Sequence, residues 1–337
     1  MIFDTAIVAP VYGLVAIAVF GVTALALILF VRLQPKSFLV HGSSNIYYAG
    51  IVLAGSIALS SMWFVGSWKL AGGLLAALAL VTFVGTIDER KKLSARTQLL
   101  AQAAIAGISV YAGWVIPYIS NPIEGGVIFL NIPIWGIIPG ALLAFIWIIA
   151  CMNAMNFLDG TDGLAPAIGA IACIALAGIS MLPATQDART FVLAVIGLGA
   201  LSAFFLWNAP PAKVYLGTTG SWCIGLFIAL VAMIGGGKIS TTLIVLAIPM
   251  LDALFVIGHR IIAGQVPWKG DTTRHLHYRL AYAGLSKWNI VIIMSICTLL
   301  FACIGVFVST TSKIITLSIL AGVFFFVSAR MMNRRTL

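Results

Sequence analysis

The chain has 337 residues, of which 62% are apolar and only 8% charged, with a formal net charge of +10. Soluble domains carry about 25% charged residues. A soluble globular fold, a disordered chain and a small secreted scaffold are therefore excluded, and the mean hydropathy of +1.13 leaves a multi-pass membrane protein.

The apolar runs are long and unbroken, which indicates helices and not the alternating strands of a barrel. A spanning helix needs about 20 mostly apolar residues. Eleven stretches meet this pattern: 10–32, 46–65, 70–87, 99–118, 134–152, 163–182, 190–207, 221–235, 239–259, 288–309 and 313–330. The expected fold is all-α, a polytopic helix bundle in which residues 1–337 form one membrane domain. The run from Ile7 to Val31 has no basic residue before it and exceeds a signal-peptide core, so it reads as a retained transmembrane helix.

Eleven spans put the termini on opposite sides. Fifteen of the nineteen Lys and Arg residues then fall on one side, and only Lys69, Arg189, Lys238 and Lys313 on the other. Cytoplasmic loops are the basic ones, so the N-terminus is expected outside and the C-terminus in the cytoplasm. The net charge reflects this asymmetry and anionic headgroups; no nucleic-acid partner is needed. The five cysteines lie in apolar stretches without metal-ligand spacing and read as membrane-buried thiols. The outer loop 119–133 has room for a short hairpin around Gly125-Gly126.

Four polar segments follow along the cytoplasmic side. Thr86-Ile87-Asp88-Glu89-Arg90-Lys91-Lys92 ends an apolar span with adjacent carboxylates and cations. It reads either as a solvated helix end or as a base or metal-site oxygen beside cations. Asn153-Ala-Met-Asn156-Phe-Leu-Asp159-Gly-Thr-Asp162-Gly163 repeats polar groups at every third position. These converge only if the helix ends near Asp159, with Gly160 and Gly163 allowing the turn. Such oxygens suit Mg²⁺, although a polar turn with local Asx bonds also accounts for them. Leu216-Gly217-Thr218-Thr219-Gly220-Ser221 opens the eighth span with backbone N–H groups that could serve an anion or a simple helix cap. Asp271-Thr-Thr-Arg274-His275-Leu-His277-Tyr278-Arg279 is either a cationic cluster suited to a diphosphate or a basic juxtamembrane helix. Asp252 lies inside a span, about 10 Å along the helix from His259, and such an acid marks a functional site by default.

In this order the segments resemble the polyprenyl-phosphate N-acetylhexosamine-1-phosphate transferases, from about His41 to Leu280. NAMNFLDGTDGLA is close to the family's N-x-x-N-x-x-D-G-x-D-G-L, HLHYRL is similar to the H-L-H-H-R-L of its N-acetylglucosamine branch, and Pro249-x-x-Asp252 matches a further element. The resemblance implies a bacterial plasma-membrane enzyme with a cytoplasmic active site. It would transfer a sugar-1-phosphate from UDP-N-acetylhexosamine to polyprenyl phosphate, release UMP and require Mg²⁺ or Mn²⁺. The product would start a cell-envelope glycan of the wall or O-antigen type, and a homodimer is compatible with this reading.

By the same resemblance, Asp88 assists or deprotonates the lipid phosphate. Asn156 and Asp159 hold the metal and line the nucleotide site, and Asp162 supports their loop. His275 is implied in catalysis; with His277 and Arg279 it would hold the diphosphate or sugar. Asn153, Arg96 and Arg274 complete the substrate-binding set. The chain departs from the family pattern at Glu89 in place of a second Asp, at Lys92 in place of an acid, and at Gln98 in place of a Lys. Thr218 stands where an Asp expected to bind metal would be. An altered homologue that binds without turnover is the alternative. A lipid-linked sugar transporter fits less well, because its polar residues should lie near the midplane on broken helices.

Overall fold

The computed structural model describes residues 5–33, 48–121, 126–134, 136, 138–234, 238–266 and 273–333. His41, Glu124, Asp271 and the link Gly235-Gly236-Gly237 lie outside the described residues. Thirteen α-helices and one two-stranded hairpin make up the described fold.

The helices are α1 (Thr5–Leu33), α2 (Ala49–Ser61), α3 (Trp68–Lys91), α4 (Ala95–Tyr111), α5 (Pro139–Leu158), α6 (Leu164–Met181) and α7 (Ala188–Asn208). They continue with α8 (Gly217–Met233), α9 (Ile239–Val245), α10 (Ala247–Ile262), α11 (Leu276–Tyr282), α12 (Lys287–Phe307) and α13 (Thr310–Asn333). Among the described residues seven helices are long and apolar enough to cross a membrane; α9 and α10 meet the same measure only as a pair, a broken span or a re-entrant loop bent by 71° at its break. The chain is a polytopic helical membrane protein. The apolar α2 and α8, of 13 and 17 residues, are shorter.

Each of the eleven stretches read from the sequence contains helix, but boundaries moved. The fifth stretch was expected at 134–152, and α5 instead starts at Pro139, at the first helical position, and runs to Leu158. Proline is favoured at that position because its missing N–H would have had no partner. At the other end the polar residues do not stop the helix. Asn153 finds Gln102 and Asn156 finds Ser221, so the amides are satisfied without unwinding. The hairpin is present, with β1 (Tyr118–Ser120) antiparallel to β2 (Val127–Phe129). Cys151, Cys173 and Cys223 are buried as expected, whereas Cys297 is half-buried and Cys303 exposed on the helix surface.

At the centre is α8, whose residues Thr219–Met233 are all buried behind α2, α3, α5 and α6. Two glycines let neighbours approach its first turn. A Cβ on Gly85 of α3 would sit 2.4 Å from the Thr219 hydroxyl, and one on Gly50 of α2 would sit 2.5 Å from the Gly220 nitrogen.

Three of the four minority cations gather with their partners at the opposite end. Lys238 lies 3.6 Å from Asp187, Lys313 donates to the Thr241 hydroxyl at 2.9 Å, and the Arg189 side chain packs beside Gly66. The bundle therefore has two polar ends of different character, and the acid- and amide-rich one is built around the start of α8.

Candidate active site

The first turn of α8 has no cap of its own, because Leu216 at its N-cap offers no side-chain acceptor. A helix start leaves backbone N–H groups unpaired. Two carboxylates from other helices take them. Glu89 accepts from the Thr219 N–H at 3.1 Å, and Asp159 accepts from the Gly217 N–H. Of the two readings open for these N–H groups, an anion site or a helix cap, the structure shows the cap, supplied in trans by carboxylates, an arrangement that the helix dipole favours.

Asp88 is enclosed beside them. Its Oδ1 accepts from the Leu93 N–H at 2.8 Å and from Gln98 Nε2 at 2.9 Å; its Oδ2 accepts from the Thr218 hydroxyl at 2.5 Å. Lys92 adopts a left-handed φ of 50° at the end of α3, which turns the chain so that Leu93 reaches back. Two departures from the family pattern, Gln98 and Thr218, are thus the two side chains that grip Asp88. Arg96, the expected stand-in for the missing lysine, sits exposed in the first turn of α4.

The turn after α5 forms as the sequence suggests in outline. Asp159 is its C-cap, and Gly163 adopts a φ of 78°. Gly160 serves differently from expectation. It is not left-handed; its missing side chain makes room for α11. A Cβ there would lie 2.3 Å from His277 Nε2 and 2.5 Å from the Tyr278 hydroxyl. Asn156 accepts from the Ser221 hydroxyl at 3.0 Å. Burial pushes the Asp159 carboxyl well above the usual carboxylate range, and the nearby Glu89 and Asp162 push it further, while the Gly217 N–H opposes them.

Other sequence candidates turn out to be fasteners. Asn153 exchanges hydrogen bonds with Gln102, donating at 2.6 Å and accepting at 3.3 Å, and so ties α5 to α4. Asp162 holds Lys287 of α12 at 2.8 Å and the Ala212 N–H at 3.3 Å. Arg274 donates to Gln265 at 2.8 Å.

Asp252 takes its partners from α11 and not from His259. Its carboxylate takes His275 Nδ1 at 2.8 Å, Arg279 at 3.0 Å and the Leu276 N–H at 2.9 Å. Arg279 is only 2% exposed; it also donates to the Ser328 carbonyl at 3.3 Å and lies over the Phe255 ring. It is a positioning residue rather than a free cation. His275 stacks on Phe157 of α5 with centroids 4.7 Å apart, which sets α11 over the Asp159 turn. Burial lowers the pKa of His277 to about 4, helped by His275 and Arg279, with Asp252 opposing. His277 is therefore neutral near pH 7. The segment that read either as a cationic cluster or as a basic juxtamembrane helix thus holds a buried imidazole beside a His–Asp–Arg group, with Arg274 bound to Gln265.

Among the described residues no three His, Cys, Asp or Glu side chains gather as a metal cage. The donors present are Asp159, the Asn156 carboxamide and Glu89, whose Oε2 is buried without a partner among the described residues. Mg²⁺ keeps several waters and takes one or two carboxylates plus substrate phosphates. These hard oxygens fit that mode of binding and would not fit a closed all-protein site.

Sequence reasoning missed Gln102 and Asn208, which accepts from the Gly163 N–H at 2.9 Å and donates to the Val214 carbonyl at 2.8 Å. An amide inside an apolar helix is the signal that could have found both.

Residues 71–236 match the family described as glycosyl transferase family 4. A decaprenyl-phosphate N-acetylglucosaminephosphotransferase of Mycobacterium leprae is 31% identical over 73% of this chain and 66% of that protein. A probable undecaprenyl-phosphate N-acetylglucosaminyl 1-phosphate transferase of Bacillus subtilis is 28% identical over 66% of this chain and 62% of that protein. A phospho-N-acetylmuramoyl-pentapeptide-transferase of Geobacillus thermodenitrificans is 30% identical over 77% of this chain and 82% of that protein. The chain belongs to glycosyl transferase family 4. The chain spans just under two thirds of the mycobacterial and Bacillus proteins. In this family 4 protein the matched segment runs from the first turn of α3 through α8, and with them Asp88, Glu89, Asn156, Asp159 and Thr218. The Asp252–His275–Arg279 group lies beyond it.

Proposed function

We propose that the protein transfers N-acetylhexosamine-1-phosphate from a UDP-sugar to polyprenyl phosphate, releasing UMP, on the cytoplasmic face of a bacterial plasma membrane. The observation that carries this reading is the meeting of three helix ends. The end of α3, the end of α5 and the start of α8 bring Asp88, Glu89, Asn156 and Asp159 together around the first turn of α8, with His277 packed against the neighbouring Gly160. The positive-inside split orients that end toward the cytoplasm. The printed activities of the relatives supply the substrate classes.

The reaction is a displacement at phosphorus, with one lipid phosphate oxygen forming a bond as the bond to UMP breaks. Positioning and charge stabilisation carry most of such catalysis. A divalent cation held by Asp159, Asn156 and Glu89 would neutralise charge on the diphosphate. Asp88, oriented by Gln98 and Thr218, takes up any proton from the attacking phosphate. His277, uncharged, presents a nitrogen to the sugar or diphosphate over Gly160. His275 and Arg279 are fixed by Asp252 and hold α11 in place.

One observation favours a second reading, a homologue that binds these substrates without turnover: both Asp88 oxygens are occupied, one by the Thr218 hydroxyl. The purified protein with UDP-N-acetylglucosamine, polyprenyl phosphate and Mg²⁺ should release UMP, and chelation should abolish this. No UMP across several UDP-sugars and both Mg²⁺ and Mn²⁺, with nucleotide binding retained, would replace the first reading by the second.

A further inference from the structure

The hairpin stands at the end of the bundle away from Asp88 and Asp159. Along α3 from Asp88 back to Trp68, and along α5 from Asp159 back to Pro139, the rise is about 30 Å at about 1.5 Å per residue. The hydrocarbon core of a bilayer is about 30 Å thick. With the carboxylate turns at one membrane boundary, Trp68 and Pro139 therefore fall at the other. Backbone bonds fix the hairpin at that level. The Gly140 N–H donates to the Leu130 carbonyl at 2.8 Å, the Ile116 N–H to the Gly140 carbonyl at 3.2 Å and the Leu130 N–H to the Pro117 carbonyl at 2.9 Å. Trp114 Nε1 donates to the Leu70 carbonyl at 3.0 Å and so ties the end of α4 to the start of α3.

This hairpin does not have the surface of one built for water. Val127, Ile128 and Phe129 of β2 are 44%, 42% and 61% exposed. Successive strand residues point to opposite faces, so apolar side chains stand open on both. Ile132 and Ile134 continue the exposed run, and no residue of 118–121 or 126–134 is charged. At the same level Trp63 and Trp68 are exposed edge to face, with centroids 6.0 Å apart, and Lys69 lies 5.9 Å from the ring centre of the exposed Tyr111. Arg189 packs against Gly66, which lies between the two tryptophans in the chain. Trp and Tyr flanked by Lys and Arg are the composition of a membrane–water interface.

We propose that the hairpin is a phospholipid-binding surface. Its backbone lies in the headgroup layer, where water can satisfy the strand edges. Phe129, Ile132 and Ile134 dip among the first acyl carbons, and Lys69 and Arg189 face the lipid phosphates. The aromatic and cationic residues at the same level favour lipid over a second copy of the chain, which is the other way to cover such an apolar run.

The full chain carries p-benzoylphenylalanine in place of Ile128, Phe129 or Ile132, one at a time, in liposomes of phosphatidylcholine and phosphatidylglycerol. Irradiation should give phospholipid adducts at all three positions, read by mass spectrometry. None should form at Gln186, which is exposed in the link between α6 and α7 at the same end. Phe129→Asp together with Ile132→Asp should cut the adduct at position 128 about tenfold, because a charge is costly among acyl chains. Phe129→Gln with Ile132→Gln gives the same readout should the acidic pair fail to reconstitute.

Adducts joining two copies of the chain would make the hairpin a subunit interface and overturn the proposal. Probes that react with neither lipid nor protein would leave the hairpin in water and overturn it as well. So would equal adducts at Gln186, or an adduct at position 128 undiminished by both pairs of substitutions.

Discussion

Two polar clusters lie close together at one end of the bundle, and they are built on opposite plans. Around Asp252 every charge is paired: one carboxylate serves an imidazole, a guanidinium and a backbone N–H, all buried. Around the start of α8 the carboxylates outnumber the cations. Asp159 is crowded by Glu89 and Asp162, and Glu89 Oε2 has no partner among the described residues. The first plan gives rigidity, since a buried ion pair holds its geometry as long as both members remain. The second leaves like charges unbalanced, at a cost in stability that only a bound cation or a proton would relieve. Stability and chemistry are thus divided between neighbouring groups.

Breaking the paired cluster should have the largest effect. Asp252→Ala strands the buried Arg279 without its counter-charge and removes the hydrogen-bond partner of His275 Nδ1, which costs about 3–5 kcal/mol and should appear as a deep fall in the melting temperature of the detergent-solubilised protein. Arg279→Leu in the same chain should recover part of that stability but none of the lost UMP release. An Asp252→Ala protein as stable as the parent would erase the contrast between the clusters.

Asp159→Asn tests the other plan. Turnover should fall about 10²–10³-fold, the range for loss of one preorganised charge-stabilising group. The melting temperature should hold or rise, because a carboxyl crowded by two others becomes neutral. If turnover and stability fell together, Asp159 would belong to the scaffold.

Acid sharpens the comparison further. The folded protein keeps His277 at a pKa of about 4 rather than the ordinary 6.5, so the unfolded chain takes up a proton that the folded chain refuses. The stability contribution is complete above pH 6.5 and declines as pH falls toward 4, by about 3 kcal/mol in all. Unfolding curves over that range should show His277→Gln with a flatter acid limb than the parent. An identical limb would mean that other groups set it.

The smallest effect is expected at Lys287→Ala. This lysine is 60% exposed where it pairs with Asp162, and exposed pairs contribute under about 1 kcal/mol. A larger loss of stability or turnover would move Asp162 from fastener to reagent.

The helical membrane class, the hairpin between the fourth and fifth apolar stretches and the turn after Asp159 were all legible in the residues. Apolar runs, Gly at a forced turn and Pro at a helix start are local signals. The site was legible as a list of segments but not as a set of roles. Asp162 and Arg279 resemble site residues in their motifs, yet one holds Lys287 and the other Asp252. Gln98, which seemed only a missing lysine, is one of the two side chains that orient Asp88. Gly160 reads as a turn residue and instead clears space for His277.

Composition and periodicity alone determined that this chain lives in a bilayer as a helix bundle with its histidines and five of its nine acids near one boundary, because the cost of burying polar groups in hydrocarbon acts on each segment by itself. Which carboxylate is paired and which is left wanting a cation was decided only in three dimensions. A hydrogen bond between Thr218 and Asp88 joins positions 130 residues apart, and no local pattern in a chain encodes the partner that packing will supply.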